Sequence, residues 1–213
     1  MSVALLTLIV SNCLVSFKAF EDITFFRKYE FHIGSIRAGE HLRMITSAFL
    51  HVDIAHLAFN MLTLYFFAPV VILQFGSPVF FLIYFGSLLS GSLFTLQFHK
   101  NEYHYRAVGA SGAVTGILYC AILLQPDKSL YLFFIPIPIP AYVFGITYLL
   151  YSIYGMKSRT DHIGHTAHFG GAVGGYALTL FQYPQLIQEN TLMVVLLAIP
   201  ILILLVLVKT GKL

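Results

Sequence analysis

Apolar runs of membrane-crossing length alternate along the chain with short polar connections. A helical span needs about 20 predominantly apolar residues, and the pattern predicts seven spans. They cover about residues 2–17, 55–74, 78–98, 109–125, 140–155, 163–181 and 191–208. The fourth begins near Gly109 or Ser111 and ends before Pro126. Pro140 suits the first turn of the fifth, where a missing amide costs no hydrogen bond. The string Ile135-Pro136-Ile137-Pro138-Ile139-Pro140 cannot be helical, because alternate residues lack an amide donor and hold their predecessors extended. The stretch 18–43 mixes charges with Phe25, Phe26, Tyr29 and Phe31, which predicts a folded element at the membrane interface.

Composition narrows the class. The 213 residues are 58% hydrophobic and 10% charged, against about a quarter charged in a soluble domain. The expected fold is an all-α polytopic membrane protein with no separate soluble domain. It divides into a six-helix core over residues 1–182, with a folded loop at 18–54, and a C-terminal loop and seventh helix over 183–213. The net charge of +3 is scattered, so nucleic acid is not implied. Cys13 and Cys120 lie in apolar runs, where free cysteine behaves as a small hydrophobe. No basic residue precedes Lys18, so the first run reads as a retained span and not a signal peptide. With the N-terminus inside, eleven of the 12 Lys and Arg residues fall outside, and the positive-inside rule favours the reverse orientation.

Polar side chains at membrane depth are costly and default to function. Two polar islands interrupt the apolar runs: Gly109-Ala110-Ser111-Gly112, and Ala167-His168-Phe169-Gly170-Gly171. Ser111 opens the fourth helix, whose N-terminus supplies free amides and partial positive charge. A serine attacks a carbonyl only when a base takes its proton, and His168 is the best base in the chain. His56 and Asn60, one helical turn apart on the second span, share a face and can both donate to an oxyanion. No acid obviously completes a triad, although Asp161 and Asp53 lie nearby in sequence. His162, His165 and His168 also keep a three-residue spacing that a metal could use, without an H-E-x-x-H string. Gly112/Gly116 and Gly171/Gly175, like Gly86/Ser90, sit four apart and allow close helix approach. Gly109 flanks the serine.

Taken together, His56-Leu57-Ala58-Phe59-Asn60, Gly109-Ala110-Ser111-Gly112 and Ala167-His168 with Gly171 and Gly175 resemble the rhomboid family of intramembrane serine proteases. Their order and separation agree, and the resemblance covers the first six spans. It implies a rhomboid-like six-helix bundle plus a seventh helix, with Ser111 as nucleophile and His168 as general base and later acid. It also implies an oxyanion hole from His56, Asn60 and the Ser111 amide, and no metal or other cofactor. His51 and Arg43 match positions that are usually structural. The implied substrates are single-span membrane proteins, reaching the serine between the second and fifth spans and cut beside small side chains. The implied setting is a bacterial plasma membrane, with the active site toward the extracytoplasmic side. Two positions depart from the family: Thr115 stands where many members have a tyrosine stacked on the histidine, and Leu42-Arg43 replaces a Trp-Arg pair.

The competing reading is a non-catalytic membrane protein that binds or escorts transmembrane helices in the same groove. A transporter fits poorly, since intramembrane carboxylates and inverted repeats are both missing from the sequence. Substrate identity, the membrane and the oligomeric state are not written in the sequence.

Overall fold

A computed structural model describes residues 1–131, 137–159 and 163–213. Among the described residues ten α-helices run in the order α1 (Val3–Glu21), α2 (Ile23–Tyr29), α3 (Ile33–Arg37), α4 (Arg43–Thr46), α5 (Ile54–Phe98), α6 (Ser111–Leu124), α7 (Ala141–Ser158), α8 (His165–Gln182), α9 (Leu186–Glu189) and α10 (Thr191–Lys209). By length and composition α1, α5 and α10 suffice to cross a membrane. The architecture is a polytopic helical membrane protein of the expected kind.

Most differences from the sequence expectation are at helix ends. The first span continues through Lys18 to Glu21, since Lys18 and Asp22 form an i,i+4 ion pair on its exposed last turn. The second and third spans share one 45-residue helical run, broken where Gly76 adopts φ 77° and ψ 172°. Glycine alone takes that backbone without a Cβ penalty, so α5 consists of two arms, 54–75 and 77–98. Pro140 is not the first helical residue. It precedes α7 in an extended conformation (φ −56°, ψ 137°), and Ile139–Pro140 pairs antiparallel with Ser129–Leu130. Residues 135 and 136 of the proline string lie outside the described residues.

The stretch after α1 folds, as its charge and aromatic pattern predicts, into the short helices α2, α3 and α4. Its β1 (Phe31–His32) pairs antiparallel with β2 (Arg106–Ala107) just before α6. Arg43 donates to the backbone carbonyls of Arg27 (2.9 Å) and Glu30 (3.0 Å), tying α4 to the end of α2. Glu30 is 1% exposed, and Arg27 and Arg106 both pair with its carboxylate.

The core of the bundle is α6, buried from Gly112 to Leu123 between the second arm of α5 and α8. Lipid supplies no hydrophobic drive between helices, so close packing and interhelical hydrogen bonds must hold them. A Cβ added at Gly116 would strike Ser87 and the Gly171 carbonyl, one at Gly171 the Gly112 carbonyl, and one at Gly175 the Gly116 backbone. The Ser90 hydroxyl donates to Gly170 O (2.7 Å), and Thr95 bonds Thr166 (3.1 Å). On the far side α10 leans on α7, where Leu197 meets Gly145, and Tyr176 on α8 donates to Val194 O (2.9 Å).

Candidate active site

The N-terminus of α6 is built before its serine is placed. Gly109 takes φ +121°, and a Cβ there would sit 2.7 Å from His56 Cε1, so only glycine lets the chain turn under that ring. Its amide donates to Ser47 O (3.0 Å). The next amide, Ala110 N, points at His51 Nε2 (3.4 Å). His51 is fully buried, and its Nδ1 lies 2.8 Å from Ser16 Oγ. Since the Ser16 hydroxyl donates to Phe49 O (2.9 Å), its oxygen accepts from His51 Nδ1–H, leaving Nε2 to accept from Ala110. Burial, helped by neighbouring His56 and opposed by Asp53, lowers the His51 pKa to about 3.

Ser111 then opens α6, where the first amides have no intrahelical acceptor. Its Oγ lies 2.7 Å from His168 Nε2, so two residues 57 apart in sequence meet within hydrogen-bond reach. His168 sits in the first turn of α8 and is 9% exposed. Its other ring nitrogen, Nδ1, is 2.9 Å from the Tyr148 hydroxyl on α7, and the two rings stack at 22° with centroids 5.9 Å apart. The aromatic absent at Thr115 is thus supplied from another helix. Thr115 donates to Ser111 O (2.7 Å). Tyr148 carries no signal in the sequence beyond belonging to an aromatic helix beside the small residues Gly145 and Ser152.

His56 and Asn60 line the same cleft as Ser111 and His168. One amide hydrogen of Asn60 goes to His56 O (3.0 Å), which leaves a second N–H for a ligand oxygen. Asp53, a candidate acid in sequence, accepts from His56 N (2.7 Å) and caps α5 instead. Asp161 and His162 lie outside the described residues. His165 turns away from Ser111 toward Gly155 and Tyr151 on α7. Among the described residues no three His, Cys, Asp or Glu side chains converge as a metal site.

The cleft has a volume of about 910 Å³. One wall is the first arm of α5 (His56, Phe59, Asn60, Thr63), and the other is Phe144 and Tyr148 of α7. Arg27, Glu30 and Arg106 form its charged rim. At 14 residues, α6 is about 21 Å long, well short of a hydrocarbon core of about 30 Å. Ser111, at its N-terminus, lines this cleft together with those charged residues.

A family model described as the rhomboid domain matches residues 38–185. The RHOMBOID-like protein 12, mitochondrial, of Arabidopsis thaliana is 31% identical over 184 residues, covering 78% of this chain and 54% of its own length. Rhomboid protein 1, mitochondrial, of Saccharomyces cerevisiae is 34% identical over 137 residues, 63% of this chain and 40% of its own. The rhomboid protease GluP of Bacillus subtilis is 32% identical over 145 residues, 66% of this chain and 26% of its own. The chain thus spans about half or less of the length of these relatives. Two of the three are mitochondrial, so the expectation of a bacterial plasma membrane is not supported. With the domain match covering more than half of its residues, the chain belongs to the rhomboid family.

Proposed function

We propose that the protein is an intramembrane serine endopeptidase that cuts transmembrane segments with a Ser111–His168 dyad. The observation that carries this reading is the 2.7 Å approach of Ser111 Oγ to His168 Nε2 in a cleft that His56 and Asn60 also line. Ser111 Oγ attacks the scissile carbonyl carbon as its proton passes to Nε2. The oxyanion so formed is met by the Ser111 amide, the free Asn60 N–H and His56. Collapse of this intermediate breaks the C–N bond, and the imidazolium returns its proton to the leaving amine. Water, activated by the same nitrogen, then attacks the acyl-enzyme and releases the acid and Ser111.

A helix in lipid hides its carbonyls in internal hydrogen bonds, so a span with Gly, Pro or other helix-weakening residues presents its backbone most readily. Residues 1–182 carry this chemistry, and 183–213 add a helix that braces α7. Cleavage of a single-span reporter with a glycine-rich segment, in reconstituted vesicles, tests the reading. Ser111→Ala abolishes cleavage while the protein stays folded, and Asn60→Ala leaves a remnant, since one lost oxyanion donor costs on the order of 3 kcal/mol. Undiminished cleavage by Ser111→Ala would overturn the assignment and leave the groove as a helix-binding site.

A further inference from the structure

We infer that Arg27 and Arg106, held together on buried Glu30, select substrates carrying an acidic side chain a few residues from the scissile bond. The inference rests on the reading of the cleft as a protease site. Both arginines line the cleft that holds Ser111 and His168, and their side chains are 56% and 41% exposed. Each reaches the Glu30 carboxylate through Nη1 alone. Arg27 Nη1 lies 3.2 Å from Oε2 and 3.4 Å from Oε1, and Arg106 Nη1 bonds Oε1. A guanidinium carries five N–H donors and does not lose its charge in a protein. Nε and Nη2 of both arginines have no protein partner among the described residues.

Neutralising one buried carboxylate needs one arginine, and the second is surplus. Two guanidiniums carry two positive charges and Glu30 offsets at most one, so this part of the cleft keeps a net positive charge. No other Lys, Arg, Asp or Glu lines the cleft among the described residues. The nearby acids are engaged elsewhere: Glu40 pairs with Arg43 (2.8 Å), Glu102 with Arg159 (3.0 Å), and Asp53 caps α5. Glu30 also holds both side chains in place, and Arg43 fixes the backbone carbonyls of Arg27 and Glu30. The remaining donors are thus pre-organised for an anion, and the guanidinium fork matches the two oxygens of a carboxylate. Arg106 stands five positions before Ser111, so their α-carbons are at most about 18 Å apart. An extended substrate covers that distance in about five residues. A lipid phosphate offers similar charge, but these arginines share a cleft with the nucleophile, and the substrate chain is what the reaction brings there.

Binding, read apart from cleavage, tests this. The full chain with Ser111→Ala is placed in phosphatidylcholine nanodiscs and titrated with fluorescent single-span reporters. Each reporter carries Asp, Asn or Lys at one position on either side of a Gly-Gly pair. Asp is expected to tighten binding about two- to fivefold over Asn at low salt, and Lys to weaken it by as much, the scale of an exposed ion pair. The gain is confined to positions within about five residues on one side of the pair, and it fades in high salt. Arg27→Gln, which leaves Arg106 on Glu30, removes most of the gain, and Arg27→Lys keeps part of it. In the protein with Ser111 intact, the same reporters differ in KM and not in kcat. No difference between Asp and Asn reporters overturns the inference, as does a preference that Arg27→Gln leaves unchanged or that is the same at every position. If Arg27→Gln instead alters only the response to added phosphatidylglycerol, the pair holds lipid headgroups and the inference also fails. A charge preference that persists while the protein with Ser111 intact cuts no reporter overturns the protease reading alone.

Discussion

Burial keeps the His51 imidazole neutral, and the neutral ring is what the site needs. Only in that form can it donate through Nδ1 to Ser16 and accept through Nε2 from Ala110, one residue before the serine. With a folded pKa of about 3 against an ordinary 6.5, the unfolded chain binds a proton that the folded protein does not across that interval. Stability therefore falls as pH drops from about 6.5 toward 3, by at most about 1.4 kcal/mol per pH unit from this one group. Thermal unfolding at pH 7 and pH 5 checks it. His51→Gln lowers the melting temperature at pH 7 but shows a smaller further drop at pH 5, and an equal drop in both proteins contradicts the account. At this scale the sequence was informative where polar residues stand alone among apolar ones, as Ser111 and His168 do. It was silent where the partner is one of many of its kind. Tyr148 is one of 13 tyrosines, and which of them faces Nδ1 depends on the rotation of α7 about its axis. Asp53 was ambiguous for the opposite reason, since an acid before a helix serves equally as a cap or a catalyst.

Among elements, α6 decides the geometry because its glycines set how near its neighbours come. A methyl group at Gly116 meets both the Ser87 side chain and the Gly171 carbonyl, and backbone cannot step aside as a flexible side chain can. Gly116→Ala should destabilise by about 1–3 kcal/mol, the usual cost of overpacking, and adding Ser87→Gly should return part of the loss. An unchanged melting temperature in Gly116→Ala would contradict this packing. Spacing by four made these contacts legible in advance, as run length did for the spans. The pairing of β1 with β2 was not legible, because two-residue strands leave no periodicity. Nor was the burial of Glu30, whose partner Arg106 lies 76 residues away. That pairing still matters to the site, since it ties the segment entering α6 to the charged rim of the cleft.

At the scale of the molecule, a short central helix opens at its N-terminus into the cleft, and the walls beside it belong to α5 and α7. On the proposed reading the serine meets membrane-embedded substrates in this cleft, and the charged residues lining it give water a route to an acyl-enzyme. Helix length, cleft and dyad agree on one account. The most direct test is peptide mapping of the lipid-reconstituted protein after exposure to a fluorophosphonate. The account predicts one adduct, on Ser111, that is lost when His168 is replaced by alanine. An adduct on another residue, or on Ser111 at an undiminished rate without the histidine, would contradict it.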